Sequence, residues 1–289
     1  MNSISIDISG RIDPDRVSVL RNIKEVADSL GIHFFVVGAF ARDVVFEHVH
    51  QVSAPRSTRD IDLGVEVSGW EEFHQLIDAL VERGLFKETN LPHRFIANAS
   101  VIVDMIPYGG ITGEAKQISW PPEHDMVMNM LGFEEAYRYA LNVRLHGEPP
   151  LEILVPSIPA LTVLKIISWA DAYPERERDA QDLLFILENY IRTGIEDELY
   201  EAHADLLVEE GYDNRLASVR LLGLDIARLF DRDTVDAVTA ILKRETDEEK
   251  GFRLLRQMVK GDLYQGIKFQ TALQLLEKLL QGVQERHGG

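Results

Sequence analysis

The sequence predicts an α+β fold, in which a mixed sheet flanked by helices is followed by an all-helical region. Before about residue 155, short apolar runs rich in β-branched and aromatic residues alternate with segments of helical spacing. Beyond residue 156, helical segments follow one another with no convincing strand between them. Such a change of character indicates separate layers, so we expect two domains, residues 1–155 and residues 156–289, divided near L-V-P-S-I-P-A.

In the first domain, the spacing of apolar residues predicts each element in turn. The run I-H-F-F-V-V-G predicts a buried strand that ends at Gly38. Helices are predicted over residues 14–30, 39–50 and 70–83, and further strands over residues 60–67, 94–97 and 100–106, the last ended by Pro107 and two glycines.

In the second domain, helical spacing is found over residues 161–172, 180–192, 196–210, 214–230 and 234–244, and over a long stretch, residues 248–284. The final residues, Q-E-R-H-G-G, are expected to fray.

The composition is that of a globular protein, with 45% hydrophobic and 27% charged residues among 289. No apolar run approaches the ~20 residues of a membrane span. The first residues lack a signal-peptide layout and there is no cysteine, so we expect a cytoplasmic protein that does not contact a membrane. The net charge of −18 argues against a protein that coats nucleic acid. It leaves room for a local basic groove and favours divalent cations.

Asp60 and Asp62 stand one residue apart in S-T-R-D-I-D-L-G-V-E-V, at the start of a predicted strand. Because side chains alternate along a strand, the two carboxylates project to the same side and repel each other. A hard divalent cation, Mg²⁺ or Mn²⁺, relieves this repulsion and prefers carboxylate oxygens together with substrate phosphates. The alternative is that D-x-D is a solvated strand start.

Two neighbouring segments extend this pattern. In F-F-V-V-G-A-F-A-R-D, the small residues Gly38 and Ala39 allow backbone N–H groups to approach a phosphate at the start of a helix, and Arg42 lies one turn further on. In A-S-V-I-V-D-M-I-P-Y-G-G, Asp104 interrupts an apolar strand, where an unpaired carboxylate is costly. A third carboxylate is what a two-metal phosphoryl-transfer site requires. The alternatives are an ordinary strand-to-helix turn with a surface arginine, and a buried aspartate that caps a loop.

A third segment lies in the second domain. Lys165 interrupts the apolar run of residues 161–169, so its ammonium either extends to the surface or is directed at an anionic group. Asp179 and Asp182 are three residues apart and therefore lie on one face of the next helix.

Together these segments resemble the nucleotidyltransferase superfamily with the DNA polymerase β-like fold. Its core has a strand, a turn of small residues and a helix, then D-x-D on the next strand and a third carboxylate on a later strand. Gly38-Ala39, Asp60-x-Asp62 and Asp104 match this order. Within the superfamily, the chain is most similar to the AbiEii/AbiGii-type nucleotidyltransferases of bacterial toxin–antitoxin and phage-defence systems. Lys165, R-D-A-Q-D-L, V-D-M-I-P-Y-G-G-I and M-N-M-L-G-F-E-E-A carry that similarity, which extends over residues 34–190.

The resemblance implies transfer of a nucleoside monophosphate from a nucleoside triphosphate to a hydroxyl acceptor. It implies that Asp60, Asp62 and Asp104 hold one or two Mg²⁺ or Mn²⁺ ions, with Asp104 also acting as general base. The implied phosphate ligands are Gly38, Ala39, Arg42 and Lys165. Asp179 or Asp182 would position Lys165 or the acceptor.

The acceptor and the protein partners stay open at this point. The acceptor is a tRNA or other RNA end, a protein or a small molecule, and a cognate antitoxin is a further expected partner. A tRNA acceptor predicts that Arg56, Arg59, His93 and Arg94 line one positive groove near the carboxylates.

Two other functions remain as alternatives. A non-catalytic binding or antitoxin module is favoured by Ala39 and Phe40, which stand where the family usually has a second small residue and then a hydroxyl. A CCA-adding or poly(A)-polymerase-like enzyme is suggested because G-A-F-A-R-D looks like the opening G-G-x-V-R-D of that head domain. However, no convincing R-R-D-F motif follows D-I-D-L.

Overall fold

A computed structural model describes residues 5–54, 56–261 and 265–285, with the side chains of residues 265–267 not described. Two compact units divide the chain, Met1–Ser157 and Ile158–Gly289, close to the division expected from the sequence. Of the tail expected to fray, residues 286–289 lie outside the described residues.

The first unit contains ten strands and four helices among its described residues. The strands are β1 (Ile6–Asp7), β2 (His33–Val37), β3 (Ile61–Glu66), β4 (Phe86–Glu88), β5 (Arg94–Ala97), β6 (Ile102–Tyr108), β7 (Gln117–Ser119), β8 (Val127–Asn129), β9 (Leu141–His146) and β10 (Leu151–Val155). The helices are α1 (Pro14–Leu30), α2 (Gly38–Asp43), α3 (Trp70–Glu82) and α4 (Phe133–Arg138).

A five-stranded mixed sheet forms the centre of this unit, in the order β2-β3-β6-β5-β4. Strands β3 and β6 are parallel, and the other neighbours are antiparallel. Two smaller sheets have the orders β1-β9-β10 and β7-β8. The predicted α+β class is therefore confirmed.

Helix α1 shows why the predictions at this end of the chain are accurate. Pro14 occupies the first turn, and the Asp13 carboxylate accepts a hydrogen bond from the Asp15 N–H at 2.9 Å. Gly31 ends the helix in the left-handed region, with φ of 70°. The predicted helix over residues 14–30 is confirmed. The strand predicted to end at Gly38 is also confirmed, and its last residue is Val37.

One face of the central sheet is apolar and the other carries the polar residues. Ile61, Leu63, Val103 and Met105 alternate with the aspartates on β3 and β6 and are fully buried. Further along the aspartate-bearing face, an aromatic cluster is formed by Phe35, Tyr108, Phe133 and Tyr137, with ring centroids 5.5–6.1 Å apart. Gly64 makes room for this cluster, because a Cβ there would lie 2.4 Å from the Phe35 ring.

Several predicted boundaries in this unit are wrong. The helix predicted over residues 39–50 is α2 followed by a wider π-helical stretch, Val44–Val49. Strand β6 continues through Pro107, which the sequence suggested would end it. Proline is tolerated here because β5 pairs with β6 only as far as Asp104, so no partner strand on that side requires the missing N–H. The short strands β1, β4 and β7–β10 were not predicted, because two to six residues give little periodicity.

The second unit is helical, and its described residues contain no strand. Its helices are α5 (Ile158–Asp171), α6 (Glu177–Asn189), α7 (Glu196–Ala202), α8 (Ala204–Glu209), α9 (Asn214–Leu229), α10 (Arg232–Glu245), α11 (Arg253–Met258) and α12 (Gln265–Glu285). The helix predicted over residues 196–210 is interrupted at His203, and the stretch over residues 248–284 is interrupted at Gly251, which has φ of 83°.

Helices α9 and α12 pack unusually closely. A Cβ on Gly223 would lie 2.4 Å from the Leu279 carbonyl oxygen, and a Cβ on Gly282 would lie 2.0 Å from the Arg220 carbonyl oxygen. Only glycine allows the two backbones to approach this far. No described helix of the chain has the length and apolar character needed to cross a membrane.

Candidate active site

Two of the predicted aspartates lie side by side on the central sheet. Asp62 on β3 is in register with Asp104 on β6, and Asp104 is in register with Arg94 on β5. Because residues in register on paired strands project to the same face, Asp62, Asp104 and Arg94 form a row across three strands. Asp60 lies two residues before Asp62, just ahead of β3, and its negative charge contributes to the raised pKa of Arg94.

The carboxylate of Asp104 is held by Arg94 through two hydrogen bonds. The Arg94 Nε donates to Oδ1 at 2.8 Å, and Nη2 donates to Oδ2 at 2.7 Å. This bidentate contact raises the pKa of the Arg94 guanidinium, and the charges of Asp60 and Asp62 raise it further. Arg94 is therefore an ion-pair partner of one predicted metal ligand, a pairing that the sequence did not reveal.

Gly38 lies directly against Asp62. It starts α2 with φ of 70°, and a Cβ at this position would lie 2.0 Å from Asp62 Oδ2. Both the backbone angle and the space therefore require glycine. Ala39 follows with its side chain buried, and as an alanine it contributes no hydroxyl to the turn.

Arg42 has a different position from the one its sequence suggests. Its side chain is 0% exposed and donates to the Asp43 carboxylate and to the Arg56 carbonyl oxygen, the latter at 2.8 Å. A buried guanidinium engaged in this way lies within the protein, whereas a ligand of phosphate must face the solvent side of the turn. The alternative of a surface arginine does not match this geometry, and the role of Arg42 as a phosphate ligand stays a prediction.

The same contacts fix the loop that leads to Asp60. The Thr58 N–H donates to Asp43 Oδ2 at 3.4 Å, and Arg16 donates to the Thr58 carbonyl oxygen. Arg16 also lies over the Phe40 ring, 4.9 Å from its centroid. Asp43, which the sequence analysis missed, is thus central to the support of the D-x-D segment. Its position next to Arg42 in an otherwise apolar helix was the available signal.

The four residues of the predicted positive groove have different surroundings, and whether they line one groove stays a prediction. The His93 ring packs against Trp120, with centroids 5.6 Å apart. Arg94 is bound to Asp104, and Arg56 is half-buried in the loop held by Arg42. Of the four side chains, that of Arg59 is exposed and the other three are half-buried.

The structure brings Lys165, Asp179 and Asp182 together inside the helical unit. The Lys165 ammonium lies 2.5 Å from Asp179 Oδ1 and 2.8 Å from Asp182 Oδ2, and the Ser168 hydroxyl donates to Asp179 Oδ2 at 3.0 Å. Burial by itself would lower the pKa of Lys165, but the two carboxylates raise it above its ordinary value. Burial likewise opposes ionisation of Asp179, yet Lys165 holds the pKa of that carboxyl below its ordinary value.

The aspartates of the first unit offer a divalent cation the right chemistry but an incomplete ligand set. They supply hard oxygen donors, and the absence of a Cβ at Gly38 accommodates the Asp62 carboxylate. As they stand, the described residues contain no group of three His, Cys, Asp or Glu side chains arranged to hold a metal ion. Both oxygens of Asp104 accept hydrogen bonds from Arg94. A cation would therefore reach Asp104 only by displacing Arg94 from at least one of these oxygens.

Comparisons with known proteins identify a family for the chain. A family described as "Nucleotidyl transferase AbiEii toxin, Type IV TA system" matches residues 24–275, which is most of the chain. A comparison with proteins of curated function finds none that matches.

Among solved structures, the chain is similar to the antibiotic-resistance factor ANT(2'')-Ia, with 13% identity and a TM-score of 0.34 over 70% of this chain and 99% of that one. It is similar to the lincosamide antibiotic adenylyltransferase LnuA, with 15% identity and a TM-score of 0.35 over 58% and 96% of the two chains. It is also similar to the Thermotoga maritima CCA-adding enzyme in complex with tRNA, with 12% identity and a TM-score of 0.31 over 96% and 83%. Scores this low assign neither an acceptor nor a partner.

The match over most of the chain defines the class of this protein as a nucleotidyltransferase, an enzyme that transfers a nucleoside monophosphate. More particularly, the chain belongs to the AbiEii family of nucleotidyltransferase toxins.

The first prediction concerns Gly38. Replacing Gly38 with Ala is expected to destabilise the protein, since it combines a left-handed backbone strain of about 1–2 kcal/mol with overpacking against Asp62 of about 1–3 kcal/mol. Gly10→Ala is the matched control, because Gly10 also has positive φ but no atom within 4 Å of a Cβ. Urea unfolding should show the larger loss for Gly38→Ala, and equal losses would contradict the contact with Asp62.

The second prediction concerns the buried Lys165. The Lys165→Met variant leaves two carboxylates without their cation and should lose about 3–5 kcal/mol of unfolding free energy. In the control Lys24→Met, the exposed pair with Asp28 is removed instead, and the loss should stay below about 1 kcal/mol.

The pH dependence of this difference follows from the directions of the two pKa shifts. The lowered pKa of Asp179 gives stability that is present above the unfolded value of about 4 and is lost as the pH falls below it. The raised pKa of Lys165 gives stability that is lost only above about pH 10. The gap between wild type and Lys165→Met should therefore be constant from about pH 5 to 9 and shrink in acid. A gap that grows below pH 4 would contradict the ion pairing.

Proposed function

We propose that this protein transfers a nucleoside monophosphate from a nucleoside triphosphate to a hydroxyl acceptor, using Mg²⁺ or Mn²⁺ held by Asp60, Asp62 and Asp104. The observation that supports this most directly is the register of β3 and β6, which sets Asp62 and Asp104 side by side. Asp60 lies two residues before Asp62 in the chain, and the absence of a Cβ at Gly38 makes room for the Asp62 carboxylate. Carboxylates clustered on one sheet face are otherwise destabilised by their mutual repulsion.

When bound, the divalent cation supplies positive charge that neutralises the triphosphate and lowers the pKa of the attacking hydroxyl. The residues of the chain then bind, orient and accept a proton. Asp60 and Asp62 would hold the cation and so help to orient the triphosphate. Asp104, with one oxygen freed from Arg94, accepts the proton of the acceptor hydroxyl. The oxygen of the acceptor hydroxyl forms a bond to the α-phosphorus of the triphosphate. The bond between the α-phosphorus and the β-phosphate breaks, and pyrophosphate leaves.

The phosphates are proposed to lie at the turn formed by Gly38 and Ala39. A glycine with no Cβ allows the backbone N–H groups at this turn to be approached closely. In our proposal Arg42 acts indirectly, because its contacts with Asp43 and the Arg56 carbonyl hold the loop before Asp60. It is a positioning residue.

Lys165 is proposed to be positioned by both Asp179 and Asp182, whereas the sequence indicated one or the other. With one positive and two negative charges, the three side chains together carry a net charge of 1 − 2 = −1. A group with that charge attracts phosphate only if a carboxylate turns away, so the role of Lys165 as a phosphate ligand stays a prediction. Their contacts also link α5 to α6 within the helical unit.

We propose that the protein acts as the toxin of a toxin–antitoxin pair, as the family description implies. A cognate antitoxin is then the partner that counteracts it. The acceptor is an RNA end, a protein or a small molecule that bears a hydroxyl. The net charge of −18 favours the last two over a tRNA.

A second candidate function is a non-catalytic nucleotidyltransferase-fold module. It is favoured by the pairing of Arg94 with both oxygens of Asp104, which occupies the third carboxylate, and by the absence of a hydroxyl at Ala39 and Phe40.

The third prediction tests catalysis. Incubation with each α-³²P-labelled nucleoside triphosphate, Mg²⁺ and cell extract should label a product with the wild type. The double variant Asp60→Asn plus Asp62→Asn should reduce labelling by at least about a hundredfold, since loss of even the outer partners of metal ligands costs 10–100-fold. The gel position of the label also identifies the acceptor as RNA, protein or small molecule.

Asp78→Asn plus Glu82→Gln is the charge-matched control, because both side chains are exposed on α3. It should label like the wild type. Equal labelling by the Asp60/Asp62 variant would refute the proposed site, and the absence of labelling in every sample would favour the non-catalytic module.

A further inference from the structure

The ion pair between Arg94 and Asp104 in the first unit requires a physical explanation. The Asp104 side chain is only 12% exposed, whereas 35% of the Arg94 side chain is exposed. The guanidinium therefore covers a mostly buried carboxylate from the solvent side. Any cation that reaches Asp104 must approach the oxygens that Arg94 already occupies.

The position of Arg94 is set by the backbone. Strands β5 and β6 form a hairpin across Asn98–Ser100, with Ala99 and Ser100 at φ of 57° and 59°. Pairing of Ile96 with Ile102 then brings Arg94 opposite Asp104. A shift of this register by one residue would turn Arg94 to the apolar face. The contact is therefore built into the sheet.

Charge explains why such a residue belongs there. Asp60, Asp62 and Asp104 carry three negative charges near one another, and Arg94 is attracted by all three. Two parallel N–H···O bonds from a planar guanidinium hold one carboxylate in a fixed orientation. The same positive charge repels a divalent cation and occupies its ligand atoms.

We propose that Arg94 is a positioning residue that competes with the divalent cation for Asp104, which keeps the cation affinity of the three-carboxylate site low until a nucleoside triphosphate arrives. This inference rests on the proposed function, because it takes Asp60, Asp62 and Asp104 as the cation ligands. The triphosphate adds negative charge beside the site and so favours exchange of Arg94 for the cation at one Asp104 oxygen. The exchange moves a guanidinium and breaks no covalent bond.

The fourth prediction measures Mn²⁺ alone, without nucleotide, by the loss of the electron paramagnetic resonance signal of free Mn²⁺. Arg94→Gln should lower the Kd for Mn²⁺ about tenfold, since a unit positive charge within contact distance of the ligands is removed. Arg94→Lys keeps the charge but loses the bidentate contact, and should lower the Kd only about two- to threefold. Arg83→Gln, at an exposed arginine that ends α3, is the charge-matched control and should change the Kd less than about twofold.

The outcomes separate this inference from the proposed function. Tighter Mn²⁺ binding by Arg94→Gln and not by Arg83→Gln supports competition at Asp104. Unchanged or weaker binding by Arg94→Gln overturns it, as does tightening of the same size in both variants. If Arg94→Gln does not fold, unchanged or weaker binding by Arg94→Lys overturns it equally. Mn²⁺ binding that Asp60→Asn plus Asp62→Asn leaves unchanged refutes the metal site itself, whatever Arg94 does.

Discussion

Carboxylates that share one face of a sheet repel one another, and the contacts around Asp62 and Asp104 reflect that repulsion. The two side chains are neighbours because β3 and β6 pair in parallel with Asp62 opposite Asp104. The register is maintained from the other face, where Ile61, Leu63, Val103 and Met105 are fully buried and would be exposed by a slip of one residue. Burial of these apolar side chains therefore stabilises a strand pairing that places two negative charges next to each other. Arg94, on the next strand, supplies the compensating charge.

The backbone around the carboxylates is held by close packing at Gly38 and by a buried ion pair in α2. Gly38 approaches Asp62 as closely as a residue without a Cβ can. The buried pair of Arg42 and Asp43, with Arg16, holds the loop at residues 56–58 just before Asp60. Separation of the Arg42–Asp43 pair would leave a buried charge uncompensated. Because both residues belong to α2 and both contact the loop, a rearrangement of the loop would disturb α2. Rigid support of this kind is what an orienting site needs.

Much of the fold was predictable because long periodic segments and clear caps determine it. Helix α1 was predicted to the residue, since Pro14 and Gly31 mark its ends. The aspartates were also recognised, because charges in apolar strands require an explanation. The pairing of Arg94 with Asp104 was not predicted, since it depends on the hairpin register set by two positive φ angles at Ala99 and Ser100. The burial of Arg42 was not predicted for a similar reason, because it depends on the neighbours that surround the side chain, here Asp43 and the Arg56 carbonyl.

The account depends on Asp60, Asp62 and Asp104 meeting at one cation. A crystal structure of the protein with Mn²⁺ and a non-hydrolysable nucleoside triphosphate, with anomalous scattering to locate the manganese, tests this most directly. We predict an anomalous peak within about 2.0–2.4 Å of oxygens from all three side chains, with Arg94 displaced from at least one Asp104 oxygen. A peak bound elsewhere, or manganese held by the nucleotide alone while Arg94 keeps both oxygens of Asp104, would contradict it.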